Sequence, residues 1–127
     1  MSRSVDSRMR WYAGLAAIAE DGVGIIVEEV FLGGGRSQKR LGTALRGLCV
    51  VWVGVRCQAD VAVRREAIRP DRVAGMAASQ ADIVHDSVTY DLEVDTTDRT
   101  SVACAEIIAA FIHAGRRLGC RSTCETP

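Results

Sequence analysis

The sequence predicts an α/β domain in which a parallel sheet is flanked by helices, and three observations lead to this class. Short apolar runs of strand length alternate with longer stretches that have helical spacing. The run at residues 49–55 is rich in valine, as in strands that are buried on both faces. Polar turns containing glycine or aspartate separate the two kinds of segment. Such alternation is typical of a parallel sheet covered on both sides.

The first third of the chain predicts one helix and one strand. Residues 9–20 have helical spacing, which places Trp11, Leu15 and Ile18 on one apolar face. Residues 23–30 form a mostly apolar run that is too short for a helix of this period. We expect this run to be a buried parallel strand with acids at its carboxyl end.

The rest of the chain continues the alternation. Ser37 is expected to cap a helix at residues 38–46, and residues 49–55 form the second predicted strand. A short helix should begin near residue 58 and end before Pro70. The remaining predicted elements are a helix at 75–85, a strand at 90–95, a turn at 96–98 and a helix at 101–113.

The length limits the domain organisation. A chain of 127 residues is enough for one domain with a single core. Hydrophobic residues make up 48% and aromatic residues only 5%, so valine, alanine, isoleucine and leucine must build that core. We expect a frayed end at residues 1–10, one domain at 11–114 and an unstructured tail at 115–127.

Composition also excludes several classes of function. The 16 basic and 16 acidic residues balance, whereas general nucleic-acid binding needs a basic surface. No apolar run reaches the length of a membrane span, and the first residues lack the apolar segment of a secretory signal. We therefore expect a cytoplasmic protein. Neither of the two histidines, His85 and His113, has a ligand partner at metal-binding spacing.

Four arginines fall within nine positions after the second predicted strand: Arg64, Arg65, Arg69 and Arg72. A guanidinium group stays charged and presents a planar fork of donors that matches phosphate oxygens. Arg64 and Arg65 lie on a predicted helix beside an acid, which favours solvated or loosely paired side chains. Pro70 should end that helix and hold Arg69 extended. Arg69 and Arg72 are therefore the candidates for a phosphate clamp, with solvent exposure as the alternative.

Two further stretches are candidates for binding. Glu28 and Glu29 follow the first predicted strand at the edge where ligands collect in open α/β sheets, and they either hold magnesium or point into solvent. The glycines at 33–35 are contiguous, and Lys39 has no serine or threonine behind it, so they do not form a Walker loop. His85 favours a helix-end or surface position over a catalytic base.

Several motifs in correct succession carry a more specific likeness. They are W-Y-A-G-L-A-A-I-A-E-D-G, I-I-V-E-E-V-F-L-G-G, V-W-V-G-V-R-C, R-E-A-I-R-P-D-R-V-A-G-M-A-A-S-Q-A, V-H-D-S-V-T-Y-D-L-E-V-D-T-T and C-A-E-I-I-A-A. From Trp11 to Phe111 the chain resembles the C-terminal two-thirds of the chloramphenicol phosphotransferase family.

The resemblance implies a P-loop kinase fold that moves the γ-phosphoryl group of ATP to a hydroxyl of an antibiotic such as chloramphenicol, with Mg²⁺ as the metal. It implies that Arg69 and Arg72 lie on the phosphates as lid residues. It places Glu29 near the metal or substrate, where the family more often has aspartate. It also implies that Thr96 and Thr97 border the adenosine.

The chain also departs from the family pattern. It contains no first strand, no Walker loop with its lysine and serine, and no second strand with the aspartate that accepts the hydroxyl proton. The absent first strand would lie between residues 23–30 and 49–55, so we expect either a gap in the sheet or direct pairing of those two runs. We expect a truncated P-loop kinase-like fold that is inactive as this chain. The alternatives are a non-catalytic module that binds an anion or a partner, as a homo-oligomer or through an exposed sheet edge, and a degenerate gene product.

Overall fold

The computed structural model describes residues 2–71, 75 and 83–117. In this part of the chain the elements are α1 Ser2–Glu20, α2 Gly35–Ala44, β1 Val53–Arg56, α3 Ala59–Ile68, β2 Leu92–Asp95 and α4 Ser101–Arg117. The two strands form a parallel sheet, and helices flank it. The predicted α/β class is confirmed, and the arrangement is compatible with a truncated kinase-like fold.

The main apolar cluster lies between α1, α2 and the segment that joins them. Its buried members are Tyr12, Leu15, Phe31 and Leu41. The predicted face of α1 is wrong, because Trp11 is 57% exposed and Ile18 is 51% exposed. The buried face is instead formed by Tyr12, Leu15 and Ala16. The predicted and the observed buried faces share Leu15. The helical period alone does not decide between two such overlapping faces.

Two helices begin earlier than the sequence indicates. α1 begins at Ser2, so residues 2–10, which we expected to be frayed, are its first turns. α2 begins at Gly35 with Gly34 as its N-cap, whereas capping by Ser37 was expected. Ser37 is buried within the helix, and its Oγ accepts a hydrogen bond from the Gly33 N–H at 3.1 Å.

β1 and β2 pair in parallel over four residues each, from Val53 opposite Leu92 to Arg56 opposite Asp95. Both strands are shorter than the predicted runs, because a strand extends only as far as its backbone finds a partner. α4 packs against β2.

The strand predicted at residues 23–30 is wrong. No regular secondary structure forms there, and no strand in the described chain pairs with this run. The two runs that should flank the absent strand do not pair directly either, so the described structure has the gap in its sheet. An apolar run becomes a strand only when a neighbour completes its hydrogen bonds, and this one lacks that neighbour.

Between α3 and α4 some sequence predictions are confirmed, and others concern residues that the structure does not describe. α3 ends at Ile68, and Arg69 has an extended backbone with φ −95° and ψ 114°, as its position before Pro70 predicts. The predicted helix at 75–85 lies mostly outside the described residues, and residues 83–87 form turns. α4 begins at Ser101 as predicted and continues to Arg117. None of the helices described has both the length and the apolar character needed to cross a membrane.

Candidate functional site

The loops after β1 and β2 meet at the carboxyl edge of the sheet. The Thr96 N–H donates to the carbonyl of Arg56 at 2.8 Å, which continues the parallel pairing past β2. The Gln58 N–H donates to Thr97 Oγ1 at 2.9 Å and ties the start of α3 to the same loop. Both threonines predicted as binding residues therefore lie at the edge where open α/β sheets place their ligands.

Arg65 on α3 reaches back to this edge. Its Nη1 donates to Thr96 Oγ1 at 3.0 Å, and its Nη2 donates to the Thr96 carbonyl at 2.6 Å. Two nitrogens of one planar guanidinium group thus contact one residue of the β2 loop, which fixes α3 relative to β2. Arg65 is exposed, as expected, but its partner is Thr96 and not a neighbouring acid. The required threonine is 31 residues away along the chain, so local spacing contains no signal for it.

Arg64, the neighbour of Arg65, behaves as the sequence predicts. Its guanidinium lies 3.6 Å from a carboxylate oxygen of Asp60, one helical turn earlier, and both side chains are 72% exposed. Such exposed pairs contribute little to stability. Adjacent arginines on one helix therefore have different roles, and Arg65 is the one that belongs to the site.

Asp95 gives the edge a negative charge. Its Oδ1 accepts a hydrogen bond from the Thr97 N–H at 2.8 Å. Hydrogen bonds from the side chain and the backbone of Thr97 lower the pKa of the Asp95 carboxyl below its ordinary value. The edge thus combines an ionised carboxylate, a guanidinium group and two threonine hydroxyls.

A second cluster of polar side chains lies along β1 and β2. Arg56 forms an ion pair with Glu93 at 2.7 Å, and its guanidinium carbon lies 5.9 Å from the centre of the Tyr90 ring. The Tyr90 hydroxyl is 2.6 Å from His85 Nδ1. His85 is therefore half-buried and bonded, so it is not an exposed surface histidine, and the helix expected to end at it lies mostly outside the described residues.

The protonation states of this pair follow from its surroundings. Burial, aided by the charge of Arg56, lowers the pKa of His85, and burial raises the pKa of Tyr90. Both rings are neutral near pH 7, and the tautomer of His85 decides which of the two groups donates in this hydrogen bond. The sequence gives no signal for this contact, because the turn that creates it has no regular period.

The glycine run beside α2 serves close packing. Gly34 has φ 57° and ψ −132°, and a Cβ there would collide with the carbonyl oxygen of Asp86. The Gly35 N–H donates to that carbonyl at 2.9 Å. Glycine is therefore required so that two backbone segments can touch. The open cavity of about 390 Å³ next to this contact is lined by Gly33, Gly35, Arg36, Lys39, Asp86 and Ser87.

Comparison with known families agrees with this architecture. Residues 4–113 match a family described as "Chloramphenicol phosphotransferase-like protein". The chain belongs to this family. The match confirms the resemblance seen in the motifs, and it indicates a kinase-like function that in general uses a nucleotide and Mg²⁺. No curated protein matches the chain.

The remaining candidates of this chloramphenicol phosphotransferase-like chain are distributed over the molecule. Arg69 is exposed at the end of α3, and its N–H donates to the Glu66 carbonyl at 3.0 Å. Arg72 lies outside the described residues. Glu29 lies on the unpaired run, where its charge acts on the hydroxyl of Tyr12. The structure places Thr96 and Thr97 at the carboxyl edge of the sheet and Arg69 and Glu29 elsewhere, and the binding roles of all the candidates stay predictions.

The residues present fit the family's nucleotide and metal only in part. Thr96 and Thr97 lie at the carboxyl edge of the sheet, with their hydroxyl groups accepting hydrogen bonds from Arg65 and Gln58, and Arg69 lies at the end of α3. The described residues contain no group of three or more histidine, cysteine, aspartate or glutamate side chains that could hold a metal ion. The Tyr12 hydroxyl close to Glu29 is buried without a hydrogen-bond partner, and burial, followed by the charge of Glu29, raises its pKa.

Proposed function

We propose that this protein has the function of an ATP-dependent phosphotransferase of its family, acting on a hydroxyl of an antibiotic such as chloramphenicol or a similar small molecule. In this proposal the 127 residues supply the lid of the nucleotide site and the part of that site that borders the adenosine. They do not complete phosphoryl transfer by themselves. The protein acts in the cytoplasm. One observation supports this proposal most directly. The loops that follow β1 and β2 meet at one edge of the sheet, where Arg65 binds Thr96.

The carboxyl edge favours a nucleotide in a defined orientation. Thr96 and Thr97 would border the adenosine, because they form the loop that follows β2. The guanidinium of Arg65 is already bonded to Thr96, so the phosphates fall to Arg69 and Arg72 beyond α3. The extended backbone at Arg69 directs the chain out of the helix at this point, as a lid requires.

Inactivity of the isolated chain follows from the parts that phosphoryl transfer needs. Catalysis of this reaction is almost entirely positioning and charge stabilisation by a phosphate loop, its lysine and a held metal ion. The sequence contains no G-x-x-x-x-G-K-[ST] motif, and its single lysine, Lys39, lies on α2 beside a cavity that Asp86 also lines. Arg69 and Arg72 would therefore hold a phosphate that no other group positions for transfer.

Thermal unfolding of the chain with increasing Mg-ATP tests nucleotide binding. A ligand that binds only the folded state raises the unfolding midpoint with its concentration, so we expect a rising midpoint. Arg69→Ala and Arg72→Ala should each reduce the shift, whereas the matched control Arg64→Ala should retain it. A midpoint that Mg-ATP does not move would contradict the nucleotide assignment.

A transfer assay tests the second half of the proposal. Chloramphenicol incubated with the chain and γ-labelled ATP should remain unlabelled. Labelled chloramphenicol would show that these residues position the phosphates without a Walker loop, and the proposed inactivity would be wrong.

A non-catalytic binding module is the second candidate, and the run at residues 23–30 favours it. This run exposes several apolar side chains beside the gap in the sheet, which is a common property of interaction surfaces. Partner binding that is unaffected by nucleotide, together with an unchanged unfolding midpoint in Mg-ATP, would favour this candidate over the kinase-like one.

A further inference from the structure

We propose that two copies of this chain exchange strands, so that residues 23–30 of each copy pair with the free edge of β1 in the other. The proposal is independent of nucleotide binding. It gives the same partner, a second copy of the chain, to two surfaces that are open in the described structure: the run at residues 23–30 and the free edge of β1.

The first surface is the edge of β1 that faces away from β2. The carbonyls of Trp52 and Arg56 accept hydrogen bonds from β2 and the loop after it. Backbone groups of successive strand residues point to opposite sides, so the N–H and carbonyl groups of Val53 and Val55 face the other way. No strand within the described residues covers that side. The Val55 side chain is also 54% exposed.

The second surface is the run at residues 23–30. Ile25 and Glu29 are partly covered, whereas the other residues from 26 to 30 are exposed, and Ile26 is 100% exposed. Most side chains of this run are therefore open to a partner. In the described chain, the backbone hydrogen bond that this run makes is from the Leu32 N–H to the Val30 carbonyl. The run is therefore apolar, largely exposed and unpaired, and its isoleucine and valine content is typical of a strand.

Within one copy, residues 23–30 do not pair with the open edge of β1. The residue after the run is Phe31, whose ring centre lies 6.1 Å from that of Trp52, just before β1. The run and β1 thus approach at one point within a chain without forming a ladder. Strand addition from outside can complete such an edge through main-chain hydrogen bonds.

A second copy is the partner that these features favour. Each chain offers one apolar strand and one open edge, so reciprocal exchange about a two-fold axis satisfies both and closes the assembly. The run contains no proline or lysine, the residues that usually protect edges, and the net formal charge of zero gives no repulsion between copies. Glu28 and Glu29 on the run are opposite in charge to Arg56 at the end of β1.

Sedimentation of the chain over a range of concentrations, with Ile26→Lys as the variant, tests the exchange. The wild type should reach twice the mass of one chain, and Ile26→Lys should remain at the mass of one. The fully exposed side chain of Ile26 can change without loss of packing, so the variant should keep its fold. Ile68→Lys is the matched control, because Ile68 is 81% exposed on α3 and should leave association unchanged. A wild type that stays monomeric at high concentration would overturn the proposal, as would a dimeric Ile26→Lys.

A mixing experiment distinguishes exchange from simple contact between like surfaces. Val55→Pro removes an N–H that faces away from β2, so it should block the open edge without disturbing the pairing in the chain. It should be monomeric alone, whereas Val55→Thr should still dimerise. A mixture of Ile26→Lys and Val55→Pro contains one intact edge and one intact run, so it should form a weaker pair that neither variant forms alone. Absence of this pair would overturn the exchange.

Discussion

Two apolar runs of this chain, residues 23–30 and 49–55, have almost the same strand signature, but only the second contains a strand. β1 lies in the second run because β2 is aligned with it in parallel. The first run has the composition of a strand but forms no ladder with any strand of the described residues. Intrinsic preference for strand is therefore insufficient, because the pairing partner decides whether a strand forms.

Glycine substitutions should give the largest difference between the two runs. A Cβ at Gly54 in β1 would lie 2.7 to 2.9 Å from atoms of the Tyr90 ring, and the site is buried. We expect Gly54→Ala to lower the free energy of unfolding by about 2 kcal/mol, as overpacking does. Gly24 in the unpaired run has no atom within 4 Å, so Gly24→Ala should change it by less than about 0.5 kcal/mol. Urea denaturation of both variants checks this, and equal effects would contradict the contrast.

The adjacent arginines of α3 should show an intermediate effect. Arg65→Ala removes both hydrogen bonds to Thr96 and should lower the free energy of unfolding by about 1 kcal/mol, since these bonds are charge-assisted but exposed. Arg64→Ala removes an exposed pair with Asp60 and should cost less than about 0.5 kcal/mol. Denaturant unfolding of the two variants in the same buffer measures the difference. An equal cost for both would place Arg65 among ordinary surface arginines.

The pH dependence at the paired region should give the smallest effect. The pKa of His85 is lower in the folded protein than in the unfolded chain, so the unfolded chain binds more protons in the window below about pH 6.5. The contribution of His85 to stability is therefore complete above that pH and is lost as the pH falls.

Unfolding at pH 7.5 and at pH 5.5 checks the sign. The wild type should lose more stability across this range than His85→Gln, in which the titrating ring is absent. The Asp95 carboxyl, with its lowered pKa, stays ionised throughout and does not obscure the comparison. An equal loss in both proteins would show that the ring titrates as it does in the unfolded chain.

Local chemistry made part of this structure predictable. The end of α3 and the extended backbone at Arg69 follow from Pro70, which acts on its neighbours alone. The start of α4 and the family resemblance were likewise visible in the sequence.

Several of the features that failed depend on contacts that the local sequence pattern does not contain. Residues 23–30 lack a strand partner, and the role of Arg65 depends on the position of Thr96. The contact between His85 and Tyr90 arises from a turn without a regular period. Thr96 and Thr97 were named from the family resemblance, and their role in binding stays a prediction, although they do lie in the loop after β2.

Amide hydrogen exchange, resolved by residue in the Ile26→Lys variant at low concentration, tests the contrast between the two runs most directly. The N–H groups of Leu92 and Thr96 donate across the sheet and should exchange slowly. Those of residues 24–28 should exchange at rates close to those of an unfolded chain. Slow exchange at residues 24–28 in this variant would show that the first run has a partner within its own chain, and the gap in the sheet would be wrong.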